Sequence, residues 1–242
     1  MRFDAVLFDL GGTLINYENE YSWKELAYLG CRNAAAFLEK SFGIQLSPER
    51  LAEKFLTTLD DMLKSGTEDM AEVDIYRLAA EVLGHFEVNS VDGLPAKFVG
   101  MYYEPTTAQI TLESGAVEIL TKIKSAGLKI GLVSNSIFPA DFHRHEMNRF
   151  GILGFFDFTI FSSEFGIRKP SREIYQKALN LAGSKPERAI FIGDRMLEDV
   201  AGPQQSGLRA ILKYSDRREY SSGAVPYRTI RKLDELEKIM FE

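Results

Sequence analysis

The stretch Ala5-Val6-Leu7-Phe8-Asp9-Leu10-Gly11-Gly12-Thr13-Leu14 determines how this chain is expected to fold. An apolar run ends at a single carboxylate, which predicts a buried strand with Asp9 at its C-terminal tip. The two glycines and the threonine that follow predict a tight turn whose backbone can approach a ligand. Because open α/β sheets bind ligands beyond the carboxyl ends of their strands, we expect a binding site directly after this strand.

Strand-like and helix-like segments alternate through the second half of the chain. Further strands are predicted at Lys129–Ser134, Phe158–Ser162, Ala189–Gly193 and Leu208–Leu212. Helices are predicted at Glu113–Ala126, Pro139–Phe150, Glu173–Ala182, Met196–Ser206 and Leu233–Phe241. This alternation predicts an α/β fold with a parallel sheet and right-handed crossovers.

The segment between the first strand and this alternation contains helix-like patterns alone. They lie at Tyr21–Phe42, Pro48–Leu63, Val73–Leu83 and Val91–Tyr103. Such an insertion predicts a helical cap domain of residues 17–107 on an α/β core of residues 1–16 and 108–242. The cap loops at about Glu18–Ser22 and Lys64–Met70 are candidate substrate contacts, because loops on rigid scaffolds often carry specificity.

The composition limits the classes of partner. The chain has 242 residues, of which 45% are hydrophobic, and its net charge of −6 argues against nonspecific nucleic-acid binding. The single cysteine, Cys31, excludes an intramolecular disulfide, fits a reducing cytoplasm and is predicted to pack within a helix. No signal peptide is evident, and no apolar run approaches the roughly 20 residues that span a bilayer. We expect a cytoplasmic protein without nucleic-acid or membrane partners; the sequence indicates no oligomeric state.

Polar residues follow three further strand tips. The second predicted strand ends at Ser134-Asn135, which offers a hydroxyl and an amide. The segment Gly166-Ile167-Arg168-Lys169-Pro170 follows the third strand and carries a basic pair. The fourth strand ends at Gly193-Asp194-Arg195, and Asp199 lies one turn into the next helix. Each of these residues alone would be an ordinary turn, cap or surface residue, but their order at successive strand tips favours one site.

The residue types at these tips suit phosphoryl transfer with a hard divalent ion. Mg²⁺ prefers one or two carboxylates together with waters and phosphate oxygens, so Asp9 and Asp194 are candidate ligands. Ser134 can donate a hydrogen bond to a phosphate oxygen, and Lys169 can neutralise charge on the phosphate and on Asp9.

The four tips resemble the four motifs of the haloacid dehalogenase superfamily of hydrolases, in identity and in order. They are Asp9–Leu14, Ser134-Asn135, Lys169-Pro170 and Gly193-Asp194 with Asp199. The resemblance implies a doubly wound, Rossmann-like sheet with the first strand at its centre. It also implies that Asp9 is a nucleophile that forms an aspartyl-phosphate, with Lys169 and Ser134 as the other catalytic residues.

The resemblance further implies two sets of ligands. Mg²⁺ would be held by Asp9, the Gly11 carbonyl, Asp194 and Asp199. A small phosphorylated substrate would be bound by Gly11, Gly12, Thr13, Ser134, Asn135 and Lys169.

One position departs from the family pattern. The family's phosphatases usually carry an aspartate two residues after the nucleophile, where this chain has Gly11. That aspartate protonates the leaving alcohol and then activates water, and acid–base help of this kind contributes about 10²–10⁴-fold. Because glycine transfers no proton, we predict a Mg²⁺-dependent phosphatase whose small substrate either has a good leaving group, such as an acyl or aryl phosphate, or brings its own acid. Glu18, Glu20 and Tyr21 of the cap are candidate replacements for the missing acid.

Three alternatives stay open. Phosphonate hydrolases of the family also lack the second aspartate and use a cap lysine to form a Schiff base. Lys24, Lys54 and Lys64 are available for this role. A 2-haloacid dehalogenase needs no acid because halide leaves unprotonated, but those relatives use no metal, so Gly193-Asp194 argues against this branch. A binding or regulatory protein with little turnover would retain the fold, although the four motif residues disfavour it.

Other polar segments are predicted to lie outside the motifs. His143 and His145 are expected to face solvent or to pack. Arg168, Lys169 and Arg195 are the expected source of local positive potential. The segment 214–227 is predicted as a surface loop, with a position bordering the site as the alternative.

Overall fold

The computed structural model describes residues 3–17, 19–66, 69–88, 92–218, 220 and 223–241. The chain divides into two compact units, one of Met1–Asn16 with Leu112–Glu242 and one of Tyr17–Thr111. Glu18, the predicted helix start at Val91 and part of the predicted 64–70 loop lie outside the described residues.

The strands and helices are numbered in chain order. The strands are β1 Ala5–Phe8, β2 Ile15–Asn16, β3 Thr111–Leu112, β4 Lys129–Ser134, β5 Phe158–Phe161, β6 Ala189–Gly193, β7 Arg209–Lys213 and β8 Arg228–Ile230. The helices are α1 Trp23–Phe42, α2 Pro48–Ser65, α3 Ile75–His85, α4 Leu94–Gln109, α5 Ala116–Ser125, α6 Ala140–Arg149, α7 Ser162–Phe165, α8 Arg172–Ala182, α9 Gly202–Gln205 and α10 Leu236–Phe241. A π-helical turn, Met196–Ala201, precedes α9.

The main sheet has six parallel strands in the order β5-β4-β1-β6-β7-β8. β1 lies between β4 and β6, so that Ala5 is opposite Lys129 on one side and Ala189 on the other. From β1 the chain adds β4 and β5 outward on one side and then β6, β7 and β8 outward on the other, which is the doubly wound arrangement. The predicted α/β fold with the first strand inside the sheet is therefore confirmed.

Both faces of β1 are buried, which explains its continuous apolar sequence. Every residue of Ala5–Phe8 is fully buried. On one face, Ala5 and Leu7 pack in a cluster with Ile174 and Tyr175 of α8. Parallel strands covered on both faces lack the alternation of apolar and polar residues that marks a half-exposed strand. Asp9 follows directly, at the point where the strand leaves the core.

The unit of Tyr17–Thr111 is built from α1 to α4. Ser22 begins α1 with a reciprocal capping box in which Glu25 takes part. Gly30 brings α1 close to α4, since a Cβ there would lie 2.4 Å from the Tyr102 carbonyl oxygen. The Tyr102 ring stacks on Phe55 with 4.3 Å between ring centroids. Cys31 is fully buried, and burial raises the pKa of its thiol to about 12, so the predicted packing role is confirmed.

Several features of the unit of Met1–Asn16 with Leu112–Glu242 differ from the sequence prediction, among them one strand and one helix. The strand β8 was not predicted, because a three-residue strand is too short to produce a detectable period. The helix predicted at Met196–Ser206 is a π-helical turn followed by the four-residue α9. Among the described residues, no helix is both long and apolar enough to cross a membrane.

Candidate active site

Asp9 is held at the end of β1 by main-chain and side-chain contacts. Its N–H donates to the Ile192 carbonyl of β6 (2.9 Å). Its side chain is buried, and Oδ1 accepts a hydrogen bond from Lys169 Nζ (2.7 Å). The same ammonium donates to Asp199 Oδ1 (2.7 Å). Lys169 thus bridges two carboxylates that are 190 residues apart in sequence, and it is itself only 2% exposed.

The Asp9 and Asp199 carboxylates keep the Lys169 ammonium charged. Burial alone would lower the pKa of this lysine, but the Asp199 and Asp9 carboxylates outweigh burial and raise the pKa above its ordinary value. The side chain is therefore a fixed cation inside the α/β unit rather than a group that exchanges protons near neutral pH.

Three buried carboxylates form one cluster. Asp9, Asp194 and Asp199 offer oxygen atoms that all lie within 4.8 Å of one another. Burial raises the pKa of Asp199 to about 7, and Asp9 and Asp194 add to the rise while Lys169 opposes it. Burial and Asp9 likewise raise the pKa of Asp194, and Arg218 opposes them. A further cation would offset the repulsion among these carboxylates, so the cluster could hold a divalent metal ion.

The chain after β6 is shaped to return Asp199 to the strand tip. A Cβ on Gly193 would lie 2.3 Å from Asp199 Cγ, so glycine is needed for this close approach. The Arg195 N–H donates to Asp199 Oδ2 (2.9 Å). The π-helical turn carries Asp199, and such turns are frequent at functional sites.

Asn135 positions Lys169 through both ends of its amide. Its Oδ1 accepts the Lys169 N–H (2.7 Å), and its Nδ2 donates to the Lys169 carbonyl (2.9 Å). Ser134, the last residue of β4, is 5% exposed next to it. The Asn135 amide therefore holds the Lys169 backbone in place, and the predicted contact of Asn135 with phosphate stays a prediction.

The following residue, Ser136, is half-buried and belongs to a network of polar side chains. Its hydroxyl lies 2.6 Å from His143 Nε2, and His143 Nδ1 lies 3.1 Å from Glu146 Oε2. His143 also stacks on Phe161 (5.2 Å between centroids). His143 thus packs inside the unit, whereas His145 is exposed. These contacts connect α6 to the loop that carries Asn135.

The turn after β1 also depends on glycine. Gly12 has a φ of +76°, and its N–H donates to the Ile15 carbonyl (2.8 Å). The Gly12 N–H is thus already a donor within the turn, and the predicted contact of Gly12 with phosphate stays a prediction. Thr13 is fully buried, and its hydroxyl has no hydrogen-bond partner among the described residues.

Comparison with known sequences identifies the family that the four motifs resemble. The sequence model of the haloacid dehalogenase-like hydrolases matches residues 3–207. The chain belongs to this family of hydrolases. It is 27% identical over 228 residues to a glyceraldehyde 3-phosphate phosphatase of Methanopyrus kandleri, covering 92% of this chain and 90% of that protein.

Two solved structures share the fold of this hydrolase. A 2-haloacid dehalogenase from Pseudomonas syringae pv. Tomato superposes with a TM-score of 0.72 at 21% identity, over 98% of this chain and 97% of that chain. The HAD-hydrolase YfnB from Bacillus subtilis, solved bound to magnesium, gives a TM-score of 0.66 at 20% identity over the whole of both chains.

Two basic residues of the hydrolase were not among the predicted site residues. Arg218 Nε donates to Asp194 Oδ2 (2.6 Å), so the prediction of a surface loop at 214–227 is wrong for this residue, and the alternative position bordering the site is the one observed. Lys213, at the end of β7, is buried and donates to the Gly12 carbonyl (3.1 Å). Its ammonium also lies 3.3 Å from Glu113 Oε2.

The two omissions differ in kind. Lys213 ends an apolar strand, so the rule that identified the other strand tips would have found it. Arg218 lies in a polar segment without periodicity, and no local signal marks it. Of the predicted cations, Lys169 contacts the carboxylates directly, whereas Arg195 is exposed and contributes its main-chain N–H.

Gly12→Ala is expected to destabilise the α/β unit strongly. A Cβ at Gly12 would lie 2.3 Å from Asp194 Oδ2, and the positive φ disfavours any side chain. Backbone strain of about 1–2 kcal/mol and overpacking of about 1–3 kcal/mol should add. The matched control is Gly127→Ala, because Gly127 has a φ of +74° with nothing within 4 Å of its Cβ position. Equal losses of unfolding free energy in urea for the two variants would contradict the steric argument.

Proposed function

We propose that this hydrolase is a metal-dependent phosphatase of a small phosphorylated metabolite, with Asp9 as the nucleophile. The observation that carries the proposal is the Lys169 ammonium, which lies 2.7 Å from both Asp9 and Asp199 beside the third carboxylate, Asp194. A fixed cation at this point lies beside the Asp9 carboxylate and offers positive charge to an incoming phosphate. Ser134, at the neighbouring strand tip, is the proposed donor to a phosphate oxygen.

The carboxylate cluster fits Mg²⁺. Asp194 Oδ1 is buried and has no hydrogen-bond partner among the described residues, which leaves an oxygen ligand in the cluster unsatisfied. We propose Asp9, Asp194 and the Gly11 carbonyl as direct ligands, with Asp199 as a direct or supporting ligand. The chemistry that Mg²⁺ supplies at such a site is neutralisation of charge on the phosphate oxygens. The relative from Bacillus subtilis that was solved with magnesium supports this choice of ion.

The proposed reaction has two steps at Asp9. The carboxylate oxygen attacks phosphorus, the bond from phosphorus to the leaving oxygen breaks, and an aspartyl-phosphate forms. Water then cleaves the aspartyl-phosphate, which releases inorganic phosphate and restores Asp9. Lys169 neutralises negative charge in both steps, and Asn135 keeps the Lys169 backbone in place.

The substrate is proposed from the relatives and from Gly11. The glyceraldehyde 3-phosphate phosphatase of Methanopyrus kandleri supports a small phosphorylated sugar or triose. Gly11 supports a substrate whose leaving group needs little protonation, or a substitute acid from elsewhere. Glu20 and Tyr21 are exposed and stay candidates for that acid. The helical unit is proposed as the cap that selects the substrate.

The lysines offered for phosphonate hydrolysis lack a suitable environment. Lys24 and Lys64 are exposed and Lys54 is half-buried. A hydrogen bond to Asp60 raises the pKa of Lys64, whereas a Schiff-base lysine needs a lowered pKa. The phosphatase is therefore the reaction that the residues favour.

A substrate panel tests the proposal. The purified protein is assayed with and without Mg²⁺ on an aryl phosphate, an acyl phosphate, sugar phosphates, phosphonoacetaldehyde and a 2-haloacid. We expect Mg²⁺-dependent release of phosphate from one or more of the phosphate esters or anhydrides. Halide release without metal would instead identify a dehalogenase and contradict the proposal.

Gly11→Asp is expected to increase turnover of alkyl phosphates. The new carboxyl would supply the proton transfer that the wild type lacks, and general acid–base catalysis is worth about 10²–10⁴-fold. The gain should be small for an aryl phosphate, which needs no protonation of its leaving group. If a folded, Mg²⁺-binding variant shows no gain on the alkyl substrate, another residue already supplies the proton.

A further inference from the structure

The two oxygens of Asp194 have different environments. Oδ2 accepts the hydrogen bond from Arg218 Nε (2.6 Å), whereas Oδ1 is buried without a hydrogen-bond partner among the described residues. Asp194 is 1% exposed, but the side chain of Arg218 is 25% exposed. The carboxylate is thus fixed inside the unit, while the guanidinium reaches it from the solvent side.

The ion pair between Asp194 and Arg218 lies in the space that Gly12 leaves open. A Cβ on Gly12 would lie 2.3 Å from Asp194 Oδ2 and 3.3 Å from Arg218 Nη2. The absence of a side chain at Gly12 therefore makes room for both partners of the ion pair. The pair joins a segment beyond β7 to the turn that follows the proposed nucleophile.

The two cations that pair with the carboxylates, Lys169 and Arg218, differ in burial. Lys169 makes ion pairs with Asp9 and Asp199, and its side chain is only 2% exposed. Arg218 makes an ion pair with Asp194, its side chain is 25% exposed, and its guanidinium is always charged. A divalent ion bound at Asp194 would meet the positive charge of Arg218 at close range in a poorly screened site, and the two cations would repel each other.

We propose that Arg218 is the resident counter-ion of Asp194 and is exchanged for a divalent cation when the metal site is filled. This inference rests on the metal site of the proposed function. Arg218 stabilises the metal-free protein, since its guanidinium makes an ion pair (2.6 Å) with the buried Asp194 carboxylate. The same contact opposes metal binding, so the site binds Mg²⁺ more weakly than its carboxylates alone would allow.

The test compares Mg²⁺ binding by calorimetry and thermal unfolding for the wild type, R218Q, R218K and R217Q, at constant ionic strength. Arg217 is the matched control because it is an exposed arginine in the same segment. For R218Q we expect Mg²⁺ affinity on the order of tenfold tighter, because the competing charge is gone. We also expect a lower melting temperature without metal and a larger increase on adding Mg²⁺. R217Q should match the wild type, and R218K should stay close to it because the charge is kept.

Each contrary result has a distinct meaning. Binding by the wild type together with equal or weaker binding by R218Q would overturn the exchange and leave the proposed function standing. An absence of Mg²⁺ binding by both the wild type and R218Q would overturn the metal site, and with it both proposals. Tighter binding by R218K as well as R218Q would overturn the part of the proposal that rests on charge. The melting curves show directly whether each variant is folded.

Discussion

Lys169→Met is expected to lower the free energy of unfolding of the metal-free protein by about 3–5 kcal/mol and turnover by about 10²–10³-fold. The substitution leaves Asp9 and Asp199 buried without the ammonium that lies 2.7 Å from each. Stability is measured by urea unfolding with a chelator present, and turnover is measured with saturating Mg²⁺. The matched control is Lys129→Met, whose ammonium makes an exposed ion pair with Asp157 (3.2 Å) and should cost less than about 1 kcal/mol.

The pH dependence of this loss gives an independent check. Burial already raises the pKa of Asp199 to about 7, above the ordinary value of about 4 for aspartate. A carboxyl with a raised folded pKa favours the folded state at low pH, and this contribution is lost as pH rises through the folded pKa. Removing Lys169 raises that pKa further, so the deficit of the variant should be largest near about pH 8 and should shrink toward about pH 5. A deficit independent of pH would show that lost packing, and not charge, is its cause.

Asp9→Asn is expected to abolish turnover, with a loss on the order of 10⁴-fold or more. The amide has nearly the same shape but is a poor nucleophile, so the aspartyl-phosphate cannot form. The folded state should persist, because the change removes one charge from a crowded cluster of carboxylates. Asp141→Asn is the control, since that carboxylate is 90% exposed beside Arg144. Turnover at the wild-type rate in a folded Asp9→Asn protein would exclude Asp9 as the nucleophile.

Trapping of the intermediate separates the roles of the two residues. Brief reaction with a phosphate-labelled substrate followed by acid quenching should leave label on the wild type and none on Asp9→Asn. Lys169→Met should still label at a reduced rate, because the nucleophile remains. Equal labelling of the wild type and Asp9→Asn would place the covalent step on another residue.

The fold was largely predictable because its strands have strong local signals. β1 and β6 are continuous apolar runs, and parallel strands buried on both faces require such runs. The elements that escaped prediction are short or irregular, such as β8 and the π-helical turn that carries Asp199. Neither produces a regular period over enough residues to be recognised from sequence.

The sequence by itself determined which residues end the central strands: Asp9, Ser134 and the Gly193-Asp194 pair. Parallel strands bring their carboxyl ends to one edge of the sheet, so strand-tip position in sequence becomes proximity in space. The tertiary structure decided which charges pair. Arg218 reaches Asp194 across 24 residues and Lys213 reaches the Gly12 carbonyl across 201, through side chains whose direction no local pattern encodes. It also decided that the Asn135 amide holds the Lys169 backbone, because that contact exists only once two loops are packed together.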